Sequence, residues 1–201
     1  MLDRARLAAM HDHYRSQRAL PPQKLTYDMR RGMLFFRAET NPLGTCPADP
    51  PIPLRVIQWT DGRQALEQHI ARTGKAPANN RRPGSATRQE ELTLAEWSRT
   101  QRRADRAGRL CAYQRERLDL IDLFDWDPRE TAWMATFNRY ARFLGEHGRA
   151  PTERRGAEER TLANWASKQR AAYWSGKLAA HHQAQLQSLP VWGWGRGPQA
   201  D

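Results

Sequence analysis

Residues 94–102 read LAEWSRTQR, and residues 162–170 read LANWASKQR. Both stretches follow the pattern L-A-x-W-x-x-x-Q-R, so Leu94 aligns with Leu162 and Trp97 with Trp165. A motif of this length that occurs twice in one chain indicates an internal repeat, and a repeat defines the unit of folding.

The repeat extends beyond this motif on both sides. From the motif onward, each residue of the first copy aligns with the residue a constant number of positions later in the chain. Upstream of the motif that number is slightly larger, so the alignment of the two copies contains a short gap. The paired positions are Trp59 and Trp133, Gly74 and Gly148, Pro77 and Pro151, Trp97 and Trp165, Gly108 and Gly176, Leu118 and Leu186, and Trp126 and Trp194. Six of the eight tryptophans pair. Each unit, about 60–70 residues long, therefore has the large aromatic side chains that a small core needs.

Each unit shows three apolar stretches with helical spacing. Between Trp133 and Leu144 the apolar residues follow one another at intervals of 4, 3 and 4, and a glycine ends the stretch. The second stretch is the repeated motif, where Thr93 and Glu96 predict a capping box and Thr161 predicts the start of the second copy. The third stretch carries the paired leucines. We therefore predict an all-α fold of tandem three-helix-bundle repeats with a degenerate N-terminal segment.

The repeat also predicts the domain boundaries. Residues 59–128 form the first repeat unit, and residues 129–201 form the second unit and its tail. Residues 1–58 form an N-terminal segment, which we interpret as a degenerate repeat followed by a proline-rich linker, because stretches with helical spacing flank Pro21-Pro22. Residues 54–58 are either a short β-prone stretch or the start of the next helix.

The charge balance favours a polyanionic partner. The chain has 33 Lys and Arg residues against 22 Asp and Glu residues, which gives a net charge of +11. Its two cysteines provide neither a disulfide framework nor a zinc motif. There is no apolar run of membrane-spanning length and no signal-peptide core, so we expect a cytoplasmic protein that does not associate with membranes.

Basic side chains are concentrated on one face of the second helix of each repeat. At about 100° per residue, Leu94 and Trp97 lie on the core side and most arginines lie opposite. Guanidinium groups match phosphate oxygens, and each contact releases counterions. The alternative is a solvated face stabilised by pairs such as Glu96 and Arg99. The predicted phosphate contacts are Arg99, Arg102, Arg103, Arg106 and Arg109 in the first unit, Lys168, Arg170 and Lys177 in the second, and the loop arginines Arg81, Arg82, Arg154 and Arg155.

Two further side-chain types on this helix have open interpretations. Trp174 has no counterpart in the first unit, and it either stacks on a base or packs against the other repeat or the N-terminal segment. Gln101 and Gln169 either tie down a loop backbone, which we favour, or bond to a base edge.

Signals for catalysis are weak. The chain has no G-x-x-x-x-G-K-[ST] motif, so it lacks a P-loop motor. The acidic cluster from Asp119 to Asp127 would suit a metal-dependent nuclease, but it is absent from the second copy and is read more simply as a polar face. The pair His181-His182 lacks a third ligand at zinc spacing. We expect no enzyme activity, no cofactor and no metal site.

The whole pattern resembles the helicase-associated domain. Its elements are a Trp, a Gly-(Arg/Lys)-x-Pro group at the end of the first helical stretch, the motif L-x-x-W-x-x-x-Q-R, then Gly-x-Leu, a Leu and a closing Trp. The resemblance covers residues 59–126 and 133–194. It implies three helices per repeat and a role in nucleic-acid binding beside large bacterial helicases. The chain departs from the family in having Leu-Ala before the motif Trp, and it lacks the helicase motor.

These observations predict a non-catalytic nucleic-acid-binding protein, with DNA favoured over RNA, that contacts phosphates through basic helix faces and loops. The alternative is a protein-interaction adaptor whose partner is a helicase or another replication protein. Salt dependence separates the two, because phosphate binding weakens steeply with salt.

Overall fold

The computed structural model of the chain describes residues 3–41, 51–78 and 88–195. In these ranges the backbone forms helices, turns and loops and contains no β-strand. The helices are α1 (Arg4–Gln17), α2 (Tyr27–Thr40), α3 (Leu54–Thr73), α4 (Gln89–Arg106), α5 (Ala112–Asp119), α6 (Pro128–His147), α7 (Gly156–Trp174) and α8 (Ala180–Gln187), with a 3-10 turn at Pro22–Lys24. The prediction of an all-α fold is confirmed, and residues 54–58 form the start of α3 rather than a strand.

The chain divides into two compact units, Met1–Trp126 and Asp127–Asp201. The first unit contains α1–α5 and the second contains α6–α8. The triplets α3–α5 and α6–α8 correspond to the two copies of the repeat. In each triplet the first helix ends at a glycine with a left-handed backbone, Gly74 in one and Gly148 in the other, as the sequence predicts.

The N-terminal helices share one apolar core with the first repeat. Helix α2 packs against both α3 and α5, and α1 packs against α2. Phe35 meets the ring of Trp59 edge-on at 5.1 Å, and Tyr14 meets the ring of Tyr113 edge-on at 4.8 Å. The N-terminal segment is therefore built into the first unit. Its origin as a degenerate repeat stays a prediction.

A buried ion cluster joins α2, α3 and α5. Arg117 donates from Nε to Glu39 Oε1 at 2.9 Å, and its Nη1 lies 2.7 Å from Glu67 Oε1. The hydroxyl of Tyr113 donates to the second oxygen of Glu39 at 2.6 Å. Burial alone would raise the pKa of Glu39, but Arg117 and Arg63 hold it below its usual value. Because loss of one partner would leave a buried charge uncompensated, this cluster holds α2 in one position on the repeat.

The second repeat has a core of its own. Four residues of α6 and α7 are buried there, namely Tyr140, Leu144, Leu162 and Ala166. Trp165 packs against this core, as Trp97 packs against the core of the first unit. The expectation that both motif tryptophans serve the core rather than a ligand agrees with this packing.

The repeated glutamine binds a repeated tryptophan. In the first unit the indole Nε1 of Trp59 donates to Oε1 of Gln101 at 3.0 Å, and in the second Trp133 donates to Gln169 at 2.9 Å. Each bond joins the first helix of the repeat to the second. The favoured interpretation of these glutamines, a bond to a loop backbone, is therefore wrong, because their amide oxygens bind the indole of the neighbouring helix.

The second helix of each repeat begins earlier than the sequence predicts. Thr93 and Thr161 lie inside α4 and α7, where each hydroxyl donates to the carbonyl four residues before it. The capping box at Thr93 is therefore wrong. Glutamates in the first turn favour the earlier start, because their charge suits the positive end of the helix dipole.

One first-turn glutamate in each repeat also binds the preceding loop. Glu91 accepts from the backbone N–H of Ala78 at 2.8 Å, and Glu159 accepts from the N–H of Thr152 at 2.7 Å. In the second unit Arg149 donates to Glu159 at 2.6 and 3.2 Å and lowers the pKa of that carboxyl to about 2. In both copies, such a bond ties a residue that follows the first helix to the first turn of the second helix.

Candidate nucleic-acid interface

The outer face of α4 carries exposed arginines in the first unit. Among the described residues none forms an ion pair with Arg103, Arg106 or Arg109, and all three side chains are exposed. Arg99 is exposed as well, and its Nη1 lies 3.4 Å from Glu96 across the surface. An exposed pair of this kind contributes little to stability, so Arg99 can exchange its partner for a phosphate.

Arg102 has a different role from its neighbours. It is half-buried, its Nε donates to the carbonyl of Asp125 at 2.5 Å, and its guanidinium lies 5.3 Å from the ring centre of Phe124. In the second unit Arg170 repeats this arrangement, donating to the carbonyl of Gly193 at 2.7 Å and lying 4.8 Å from the ring centre of Trp192. These two arginines anchor the segment that closes each repeat, and this explains why the motif retains them in both copies.

A groove lies beside the arginine face of α4. It has a volume of about 620 Å³, and its floor includes Trp59 and Gln101. Its rim carries Arg31, Arg55 and Arg109. Successive residues of α4 are rotated by about 100° around the helix axis. The first exposed arginine therefore lies roughly 60° around the axis from the residues that line the groove. The groove and the arginine face therefore adjoin one another.

An aromatic ring stands at the edge of this groove. Tyr27 is 73% exposed, and the guanidinium of Arg31 lies 5.7 Å from its ring centre. Arg31 also donates from Nη2 to the carbonyl of Arg109 at 2.7 Å, which holds the guanidinium at the rim. The candidate binding residues inferred from the sequence did not include Tyr27, Arg31 and Arg55, which line this groove. The helical spacing of Tyr27 and Arg31, together with the neighbouring Arg30, is the signal that could have found them.

The predicted contacts of the second unit are spread out. Lys168 and Lys177 are exposed on or after α7, and Arg154 and Arg155 are exposed at its start. Arg155 lines a pocket whose other walls include the acidic residues Glu146, Glu158 and Glu159. Arg155 is therefore accompanied by acidic groups, whereas Arg103, Arg106 and Arg109 of the first unit have no ion-pair partner among the described residues. Arg81 and Arg82 lie outside the described residues.

Trp174 packs partly against its own unit. Its indole Nε1 donates to the carbonyl of Trp194 at 3.1 Å, and its ring meets Tyr173 edge-on at 5.2 Å. Tyr173 in turn stacks on Trp194 at 4.0 Å. The contact is thus with the closing segment of the same repeat, while 45% of the Trp174 surface stays exposed.

The acidic and histidine candidates have contacts that the sequence did not reveal. Asp119 accepts from the indole of Trp126 at 2.6 Å, and Asp127 caps α6 by accepting from the N–H of Glu130. Both acids therefore serve the fold. Near the paired histidines 181 and 182, the carboxylate of Glu130 supplies a third donor from α6.

Within the described part of the chain, no helix has the length and apolar character needed to cross a bilayer. No curated protein and no solved structure matches the chain. One family model matches it over residues 57–127, the stretch that forms α3–α5. That model describes the helicase associated domain, and its match confirms the resemblance inferred for the first repeat; the second unit is related to the first through the internal repeat.

Proposed function

We propose that the chain is a non-catalytic nucleic-acid-binding module that contacts phosphates through the first unit, with DNA favoured over RNA. The proposal rests on one observation. Arg103, Arg106 and Arg109 have no ion-pair partner among the described residues, and they adjoin a groove whose rim adds Arg31 and Arg55. Arginines that form no ion pair within the described part of the chain, on a protein of net charge +11, suit a ligand that brings its own negative charge.

The groove extends the proposal from phosphates to bases. An exposed tyrosine such as Tyr27 offers a face on which an unpaired base can stack, and such stacking contributes roughly 1–3 kcal/mol per base. The guanidinium of Arg31 over the same ring keeps a positive charge beside the base. A single strand is the form of nucleic acid that presents bases and phosphates together, so we expect it to bind more tightly than a duplex.

The test is fluorescence-anisotropy binding of the full chain to labelled single-stranded DNA, duplex DNA and RNA at low salt. The variant Arg103→Ala/Arg106→Ala should bind at least about tenfold more weakly, because it loses two phosphate contacts. Arg4→Ala/Arg6→Ala on α1 is the matched control, since it removes the same charge from exposed positions on a different helix. Equal weakening by both double variants would mean that net charge, and not this face, attracts the nucleic acid.

A second function is favoured by the exposed apolar side chains. Leu123 and Val191 occupy equivalent positions in the two repeats, are 51% and 65% exposed, and both have a left-handed backbone, with φ of 62° and 55°. Leu123 in the first unit, and Val191 and Trp174 in the second, would each suit contact with a protein partner, such as a helicase or another replication protein. An apolar interface of that kind would persist at salt concentrations that release a phosphate ligand.

A further inference from the structure

Three metal-binding side chains converge in the second unit. Glu130 lies in the first turn of α6, and His181 and His182 lie in the first turn of α8. Nε2 of His182 is 2.8 Å from Oε2 of Glu130, and Nε2 of His181 is 3.5 Å from the same oxygen. All three donor atoms lie within 4.8 Å of one another.

This donor set suits zinc. Two imidazole nitrogens and one carboxylate oxygen are ligands that Zn²⁺ accepts, and such three-ligand sites keep a fourth position for water. With bonds of about 2.0–2.2 Å, tetrahedral ligands lie roughly 3.3–3.5 Å apart. The two His–Glu separations are 2.8 Å, shorter than that range, and 3.5 Å, within it, and all three donor atoms lie within 4.8 Å, so side-chain rotations would bring the donors to the tetrahedral spacing.

The surrounding contacts hold two of the three donors in place. The ring of His182 stacks on the indole of Trp133 with centroids 3.7 Å apart and planes 14° from parallel. The backbone of Glu130 is fixed at the helix start by the bond from its N–H to Asp127 at 3.2 Å. His181 is exposed, with 61% of its side chain accessible, so solvent and metal can reach the group.

The first repeat lacks these donors at the equivalent positions. Under the repeat alignment Glu130, His181 and His182 correspond to Val56, Tyr113 and Gln114. The three counterparts are buried in the first unit, where α2 packs against α3 and α5. The cluster is therefore a feature of the second unit and is not required by the fold of the repeat.

We propose that the second unit binds one Zn²⁺ ion through Glu130, His181 and His182, with water as the remaining ligand. The ion would join the starts of α6 and α8, the first and third helices of the repeat. This site is independent of the proposed nucleic-acid interface, since it uses other residues in another unit.

The experiment is isothermal titration of ZnCl₂ into the full chain after removal of metal by a chelator, with the melting temperature measured in parallel. We expect one ion per chain and a higher melting temperature with zinc. Glu130→Gln and His182→Ala should each weaken binding by more than about tenfold, since even loss of a supporting partner costs roughly 10- to 100-fold. His147→Ala is the control, because it removes an exposed imidazole of the same unit that lies outside the cluster.

Absence of a one-to-one binding event would overturn the proposal, and so would zinc binding that Glu130→Gln and His182→Ala both leave unchanged. Glu130→Gln preserves the shape of the side chain, and its circular dichroism melt without metal shows whether the variant folds. Should His182→Ala fail to fold through loss of its stacking on Trp133, Glu130→Gln decides the question alone.

Discussion

The tryptophan–glutamine bond is the smallest feature that the two repeats share. Gln101 is 6% exposed, and its Oε1 is the acceptor for the indole of Trp59. The sequence shows that these residues recur, but it does not show that they bind each other. Their separations in the chain differ, 42 residues in the first unit and 36 in the second, so no fixed spacing marks the pair.

Replacing Gln101 with Leu should lower the free energy of unfolding by about 1–3 kcal/mol, because a buried indole N–H would lose its partner. Urea denaturation of the purified chain measures the change. The same substitution at Gln169 should cost less, since that pair is only partly buried. A double-mutant cycle with Trp59→Phe tests the bond itself, and strict additivity of the two changes would contradict it.

Gly62 is the second residue on which the packing of the first unit depends. A Cβ atom there would lie 2.2 Å from Nε1 of Trp97, within the space of a rigid ring. Gly62→Ala should therefore destabilise the chain by at least about 1–3 kcal/mol. Gly145→Ala is the matched control, because nothing lies within 4 Å of its added Cβ and alanine favours a helix by roughly 0.5–1 kcal/mol. Equal effects in a thermal melt would refute this account of the packing.

At the scale of helices, the pattern of glycines and apolar residues predicted the ends of α3 and α6 and the apolar faces of the helices. It did not predict the starts of α4 and α7, since Thr93 and Glu96 match a capping-box pattern one turn inside α4, and Thr161 lies inside α7. The contact of α2 with α5 was also not predictable from the sequence. Glu39 and Arg117 are 78 residues apart, and a contact across that distance leaves no periodic signal.

The helix pattern also groups arginines that have different roles. A helical wheel places Arg102 beside Arg99 and Arg103, but it cannot show that a long side chain reaches back to a carbonyl 23 residues later. The sequence therefore predicts which arginines share one face of the helix, but it does not predict their separate roles. The assignment of Arg102 and Arg170 to anchoring required the structure, and so did the groove residues that the N-terminal helices contribute.

Arg102→Ala should lower stability by about 1–2 kcal/mol through loss of its backbone bond and its contact with Phe124. Arg103→Ala, one position along the same helix, should change stability by less than about 0.5 kcal/mol because its side chain is exposed. Paired urea titrations make the comparison. Arg102 would lose its assigned anchoring role if the two variants unfolded at the same urea concentration.

At the scale of the whole molecule, the two copies of one repeat have diverged in surface chemistry. The first unit presents arginines without described partners beside a groove, whereas the second mixes basic and acidic groups and carries the histidine cluster. The net charge of +11 indicated an anionic partner from composition alone, but only the fold shows where the charge is concentrated.

The most direct test of phosphate binding is the salt dependence of single-stranded DNA binding, measured by fluorescence anisotropy between about 50 and 200 mM salt. Three phosphate contacts predict a fall in affinity of about 20-fold for a single strand, and Arg103→Ala/Arg106→Ala should show a much shallower slope. Absence of binding at the lowest salt, or an affinity that salt leaves unchanged, would contradict the proposed function and favour the protein-partner alternative.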